Sequence, residues 1–182
     1  IDPLGNSSIR FYPGGGCPGP IEIKVSEDVT LVVMDTQWWL HESDKPGVES
    51  DCPYKTKDEV LVQLEDILQK NSDKLVIFAC HHPFKSYGIH GGNFNIKQHV
   101  FPFTDLRPNL WIPLPIIGSI YPITRGIFGT IQDLPHPQYQ NMVNAVTKVL
   151  KTHPNVIHVS GHEHTLQLLQ DSNRNYIVSG SA

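Results

Sequence analysis

The stretch Leu75-Val76-Ile77-Phe78-Ala79-Cys80-His81-His82-Pro83 decides how this chain is read. Leu75 to Cys80 is a short apolar run, which fits a buried strand, and two histidines follow it at once. A helix comes before it. Val60, Leu61, Leu64, Ile67 and Leu68 fall on one apolar stripe between about Lys57 and Gln69, and Thr56 and Glu59 have capping-box spacing. The order is helix, strand, histidines.

That order recurs downstream. Tyr139, Met142, Val143, Val146, Val149 and Leu150 share one face of a predicted helix over Pro137–Leu150, a strand follows at Val156–Val159, and Gly161-His162-Glu163-His164 ends it. In open α/β sheets ligands gather beyond the C-terminal ends of strands. The two histidine groups can therefore converge although about 80 residues separate them.

Further out, Ile21, Ile23 and Val25 alternate with polar neighbours as in a half-buried strand, and Leu31–Met34 reads as a buried strand ending at Asp35. With no helix between them, these two form a hairpin or a sheet edge. Thr165–Gln170 and Tyr176–Val178 read as strands around the polar turn Asp171–Asn175. Residues 1–20, rich in Gly and Pro, read as a surface connection. Residues 84–135 lack regular periodicity but carry Phe101, Phe103, Trp111 and Phe128, so they are expected to pack as an irregular lid or wall. The fold class is α/β or α+β, a single domain over residues 1–182 with mixed sheets flanked by helices.

Composition narrows the function. The net charge of -4 gives no broad basic field, so nucleic-acid binding is not expected. Pro113, Pro115 and Pro122 break the apolar stretch Leu110–Ile123, which is too short for a transmembrane span in any case. Three cysteines allow one internal disulfide at most. Cys17 with Cys52 is the candidate pair, the unpaired state is the favoured reading, and Cys80 ends an apolar run. No compartment is assigned.

Imidazole, neutral near physiological pH, is a ready ligand for Zn, Fe and similar ions. Among ten histidines, His81, His162 and His164 are read as metal ligands because they recur at equivalent strand ends, with Gly161 expected to admit the tight turn. His136, His153 and His158 are read as helix-start, surface and strand residues. Asp35 follows a buried strand, the usual place for a metal carboxylate, and Trp38, Trp39 and His41 are read as site walls or loop anchors.

Cys80-His-His-Pro-Phe84, Ser86-Tyr-Gly-Ile-His-Gly-Gly92 and Ser160-Gly-His-Glu-His-Thr-Leu-Gln167 resemble segments of the calcineurin-like metallophosphoesterase superfamily, including the purple acid phosphatases. The resemblance implies a partial calcineurin-like sandwich whose intact form hydrolyses a phosphate monoester or diester with two divalent or mixed-valence ions, of Fe, Mn or Zn. It puts His81 and His162 on one ion and His164 on the other, and makes Asp35 a strand-end carboxylate rather than a ligand. It makes His90 a catalytic group near the phosphate that assists leaving-group protonation, and His82 a neighbouring, substrate-facing residue. Metals would activate the attacking water and polarise the phosphoryl oxygens.

The early DxH, GDxxDxG and GNHD or GNHE motifs of that superfamily do not occur in residues 1–182. The expectation is that the chain is the C-terminal part of one phosphoesterase domain, inactive alone and able to stand metal-free, with a missing N-terminal catalytic portion as its partner. The alternative is a noncatalytic partner- or lipid-binding module on a phosphoesterase scaffold, with Leu110–Ile123 as the docking surface.

Overall fold

The computed structural model describes residues 11–45, 49–171 and 174–180. The expectations for residues 1–10 and for Ser172 and Asn173 fall outside them. Six strands form one sheet in the order β1-β2-β3-β4-β6-β5: β1 Ile21–Lys24, β2 Val29–Met34, β3 Leu75–Cys80, β4 Val156–Ser160, β5 Leu166–Asp171 and β6 Arg174–Ser179. The four central strands β2, β3, β4 and β6 run parallel, and the outer pairs β1–β2 and β5–β6 are antiparallel hairpins. The early strands are thus both a hairpin and a sheet edge.

Five α-helices of the described residues accompany the sheet: α1 Thr36–Leu40, α2 Lys57–Lys70, α3 Ile96–Val100, α4 Ile120–Phe128 and α5 Pro137–Leu150. The expected capping box opens α2, with Thr56 Oγ1 accepting from Glu59 N–H and the Glu59 carboxylate accepting from Thr56 N–H. At its other end buried Asn71 accepts from Thr30 on β2 and donates to Glu22 on β1, so one side chain fixes the helix to both strands. His136 caps α5 by accepting from Gln138 N–H, and Pro137 takes the first helical position, where a missing N–H costs nothing.

The core lies on one face of the sheet. Val32, Met34, Val76, Phe78, Val156 and Tyr176 pack against Val60, Leu64, Ile67 and Leu68 of α2 and against Tyr139, Met142, Val146 and Leu150 of α5. The opposite face is equally apolar. In register across all six strands run Ile21, Val33, Ala79, Val159, Ile177 and Leu168, with Ile23, Leu31, Ile77 and Ile157 beside them. None of these joins the core cluster of the described residues, and Leu168 is 77% exposed.

Several expectations are corrected. Cys17 and Cys52 form a disulfide with a Cα–Cα distance of 5.3 Å, clipping the N-terminal connection to the loop after α1. Both cysteines sit in Pro/Gly-rich stretches without periodicity, so nothing local brings them together; the fold does. His153 is buried rather than on the surface, with Nε2 3.1 Å from Glu65 Oε1 of α2. Trp38 and Trp39 of α1 belong to the core. Residues 84–135 are less irregular than expected, since they contain α3, α4 and three short 3-10 turns. The prolines around α4 hide it in the sequence, but Pro122 falls in its first turn, where proline is tolerated.

Candidate metal site

Because β3 and β4 are parallel neighbours with Cys80 opposite Ser160, His81 and Gly161 leave the sheet side by side. Gly161 N–H donates to the His81 carbonyl at 3.1 Å and couples the two loops. The tight turn belongs to His162 itself, at φ 65°, in the left-handed region that His enters more readily than bulky or β-branched residues. Gly161 has room for a Cβ, whose nearest neighbours would stand at 3.9 and 4.0 Å. The expected role of Gly161 is therefore not what its position requires.

His81, His82 and His162 each offer a ring nitrogen within 4.8 Å of the others, one group brought together among the described residues. Their wiring separates them. His162 Nε2 lies 2.8 Å from the Gln132 carbonyl oxygen, which can only accept, so the ring carries its proton there and Nδ1 bears a lone pair. That lone pair faces His81 Nε2 at 3.0 Å. Two nitrogens each about 2.0–2.1 Å from one tetrahedral ion stand about 3.3 Å apart, so the pair fits a shared metal with little movement. Burial lowers the pKa of His81 and pushes that of His162 down to about 4 despite its hydrogen bond to Gln132, so both rings are neutral near pH 7, as ligands must be.

His82 differs. It is completely buried, and both ring nitrogens are committed, Nδ1 to the Thr36 hydroxyl at 2.7 Å and Nε2 to Gln132 Oε1 at 2.8 Å. Burial pushes its pKa down to about 3. The ring is a neutral strut between α1 and the loop before α5, and Tyr139 of α5 secures the next residue by donating to the Pro83 carbonyl. His164, the third proposed ligand, is exposed and stands outside the group.

His90 packs its ring against His162 with centroids 4.0 Å apart. Its Nδ1–H donates to Asp133 at 2.8 Å, leaving Nε2 as its remaining nitrogen. Asp133 also accepts from Arg125 and from the Thr130 backbone and hydroxyl. Burial alone would raise this carboxyl, but the donors from His90, Arg125 and Thr130 hold it far below the ordinary carboxylate range. Buried Glu163, between the two histidines of the GHEH segment, accepts from Ser86 Oγ and His90 N–H and leaves no room for a Cβ at Gly88. Asp133, Arg125, Gln132 and Glu163 join this site without belonging to the candidate residues that the sequence pattern marks. Glu163 alone carried a signal, its place between two candidate ligands. Asp35 accepts from Trp38 N–H as the cap of α1.

No protein-family model matches the chain. No curated protein matches it either. Among solved structures it is similar to "GAP50 the anchor in the inner membrane complex of Plasmodium", with 14% sequence identity, 88% of this chain and 35% of that chain covered, and a TM-score of 0.44. This chain thus spans about a third of the length of the structure it matches.

Proposed function

We propose that this chain is a metal-binding module on a phosphoesterase-type scaffold, holding one transition-metal ion through His81 and His162, and that alone it binds without hydrolysing. The observation that supports it is the 3.0 Å approach of His81 Nε2 to the unprotonated His162 Nδ1. Two nitrogens leave most of an ion's coordination positions open to water, a phosphate oxygen or carboxylates from elsewhere. No carboxylate joins the three-histidine group among the described residues. An ion held there would polarise a phosphoryl oxygen.

Calorimetric titration of chelator-stripped protein with Zn and Mn tests this reading. About one ion should bind, and His81→Ala or His162→Ala should each weaken binding at least about tenfold. Binding that survives both substitutions unchanged, or no binding at all, sinks the proposal. Paired assays on a phosphate monoester and a diester should show no turnover by the loaded chain.

A second reading, hydrolysis of a phosphoric ester by a larger assembly, draws on the half-buried apolar face of the sheet that stays outside the described core. Another segment packed there would have room to bring carboxylates toward the ends of β3 and β4. In that assembly His164 would serve a second ion and His90, held by Asp133, would protonate the leaving group. Turnover that appears only when such a segment is present, and is lost with His90→Ala, would support it.

A further inference from the structure

The structure turns one strongly apolar segment outward and fixes it there. Ile116 adopts φ 73°, a conformation that strains a β-branched residue, and its side chain is 86% exposed. Ile117 is 65% exposed, and α4 adds Ile120 at 61%, Ile127 at 62% and Phe128 at 68%. Leaving such side chains in water forgoes the stabilisation that burying them would bring.

The crest is pinned from beneath. A Cβ on Gly126 would stand 2.9 Å from the Gly92 carbonyl oxygen, so the two backbones meet with no space between them. Arg125 anchors the same turn of α4 to Asp133. Gly118 packs its backbone on the His99 carbonyl, where a side chain would collide. Rotation of the apolar face inward would break all three contacts.

Charge and shape choose the occupant. Between Asp105 and Asp133 there is no Asp or Glu, whereas Arg107 lies within that interval and Lys97 just before it, in a chain whose net charge is -4; Arg125, also in the interval, is already paired with Asp133. Lys97 Nζ stands 4.7 Å over the ring of Trp111, which is 55% exposed, giving an amphipathic aromatic and a cation together at the margin. An apolar cavity of about 620 Å³ lies against α4, lined by Phe94, Phe103, Leu106 and Tyr121 with Arg125 at its wall. Its size and lining fit part of an acyl chain. Among the described residues no helix is long and apolar enough to cross a membrane, and the nine residues of α4 reach only about 13 Å, which suits a helix lying in the interface.

We propose that Ile116–Phe128, with Trp111 and Lys97 at its edge, docks this protein onto an anionic membrane surface. Alkyl side chains enter the boundary between headgroups and acyl chains, the cations meet lipid phosphates, and the acid-free interval avoids repulsion. This inference does not depend on metal at His81 and His162.

Co-sedimentation of the full chain with vesicles of phosphatidylcholine, alone and mixed with phosphatidylserine, tests it. Binding to the mixed vesicles should exceed binding to phosphatidylcholine, weaken with added salt, and shift Trp111 emission to the blue. Ile120→Asp combined with Ile127→Asp should reduce it at least about tenfold while circular dichroism stays unchanged, because both side chains are exposed. Lys97→Ala with Arg107→Ala should remove the preference for phosphatidylserine. No sedimentation with either vesicle overturns the proposal, as does wild-type binding by the double aspartate variant. A stable dimer in ultracentrifugation, dissolved by the same two substitutions and indifferent to vesicles, would assign the crest to a second copy and overturn it too.

Discussion

His82 and His158 show how the fold keeps imidazoles neutral for reasons unrelated to a ligand. Both are completely buried, and burial pushes both pKa values down to about 3. His82 is satisfied at both nitrogens, so His82→Ala leaves the Thr36 hydroxyl and Gln132 without it and should cost roughly 2–4 kcal/mol in chemical denaturation. Metal stoichiometry in the folded variant should not change. His158 sits among Phe78, Phe84 and Tyr176 with Nδ1 unpartnered and Nε2 3.4 Å from Cys80 Sγ. The unfolded chain takes up a proton at His158 below about pH 6.5, and the folded chain does not until about pH 3, so stability falls as pH drops through that window. The slope is about 1.4 kcal/mol per pH unit for each such histidine. His158→Leu should remove one share of it, leaving the variant less acid-sensitive between pH 6 and about pH 4 in urea denaturation followed against pH. An unchanged slope would mean that this ring is already charged in the fold.

At the scale of elements, the disulfide and the helix caps mark what the sequence could and could not disclose. Periodicity located α2 and α5 to within a residue, because each buries one stripe against a sheet, and β3 is found where its apolar run begins and ends. The equivalence of His81 and His162 was legible for the same reason, since two helix–strand units of similar pattern must end at the same edge of a parallel sheet. Local pattern did not reveal contacts made only by folding, such as Asp133 reaching His90 across 43 residues or Cys17 reaching Cys52 across 35. For that disulfide the loop length sets the expectation. Closing it restricts the unfolded chain, and Cys17→Ser with Cys52→Ser should cost roughly 2–4 kcal/mol, read as a lower urea midpoint that reductant no longer changes. Thr56→Ala, which removes one half of the α2 capping box, should cost about 1 kcal/mol by the same assay.

For the whole molecule, the balance between the two faces of the sheet matters most. A sheet with parallel central strands is ordinarily covered on both sides, because strands joined by crossovers carry apolar residues on both faces. Here α2 and α5 cover one face, while the row from Ile21 to Leu168 stays outside the described core. Two valines of β4 separate the faces with the same chemistry. Val156 is 2% exposed among the core residues, and Val159, three positions on, is half-buried on the opposite face. Val156→Thr places a hydroxyl in the core without an assured partner and should cost about 1–3 kcal/mol. Val159→Thr in the chain alone should cost only a few tenths, because its hydroxyl keeps water, and it should reduce self-association at high concentration. If a second layer of polypeptide covers this face in a larger assembly, Val159→Thr should become as costly there as Val156→Thr is in the chain alone. Equal costs in the chain alone would show that the face is already closed, and the reading of an open half of a sandwich would fail with it.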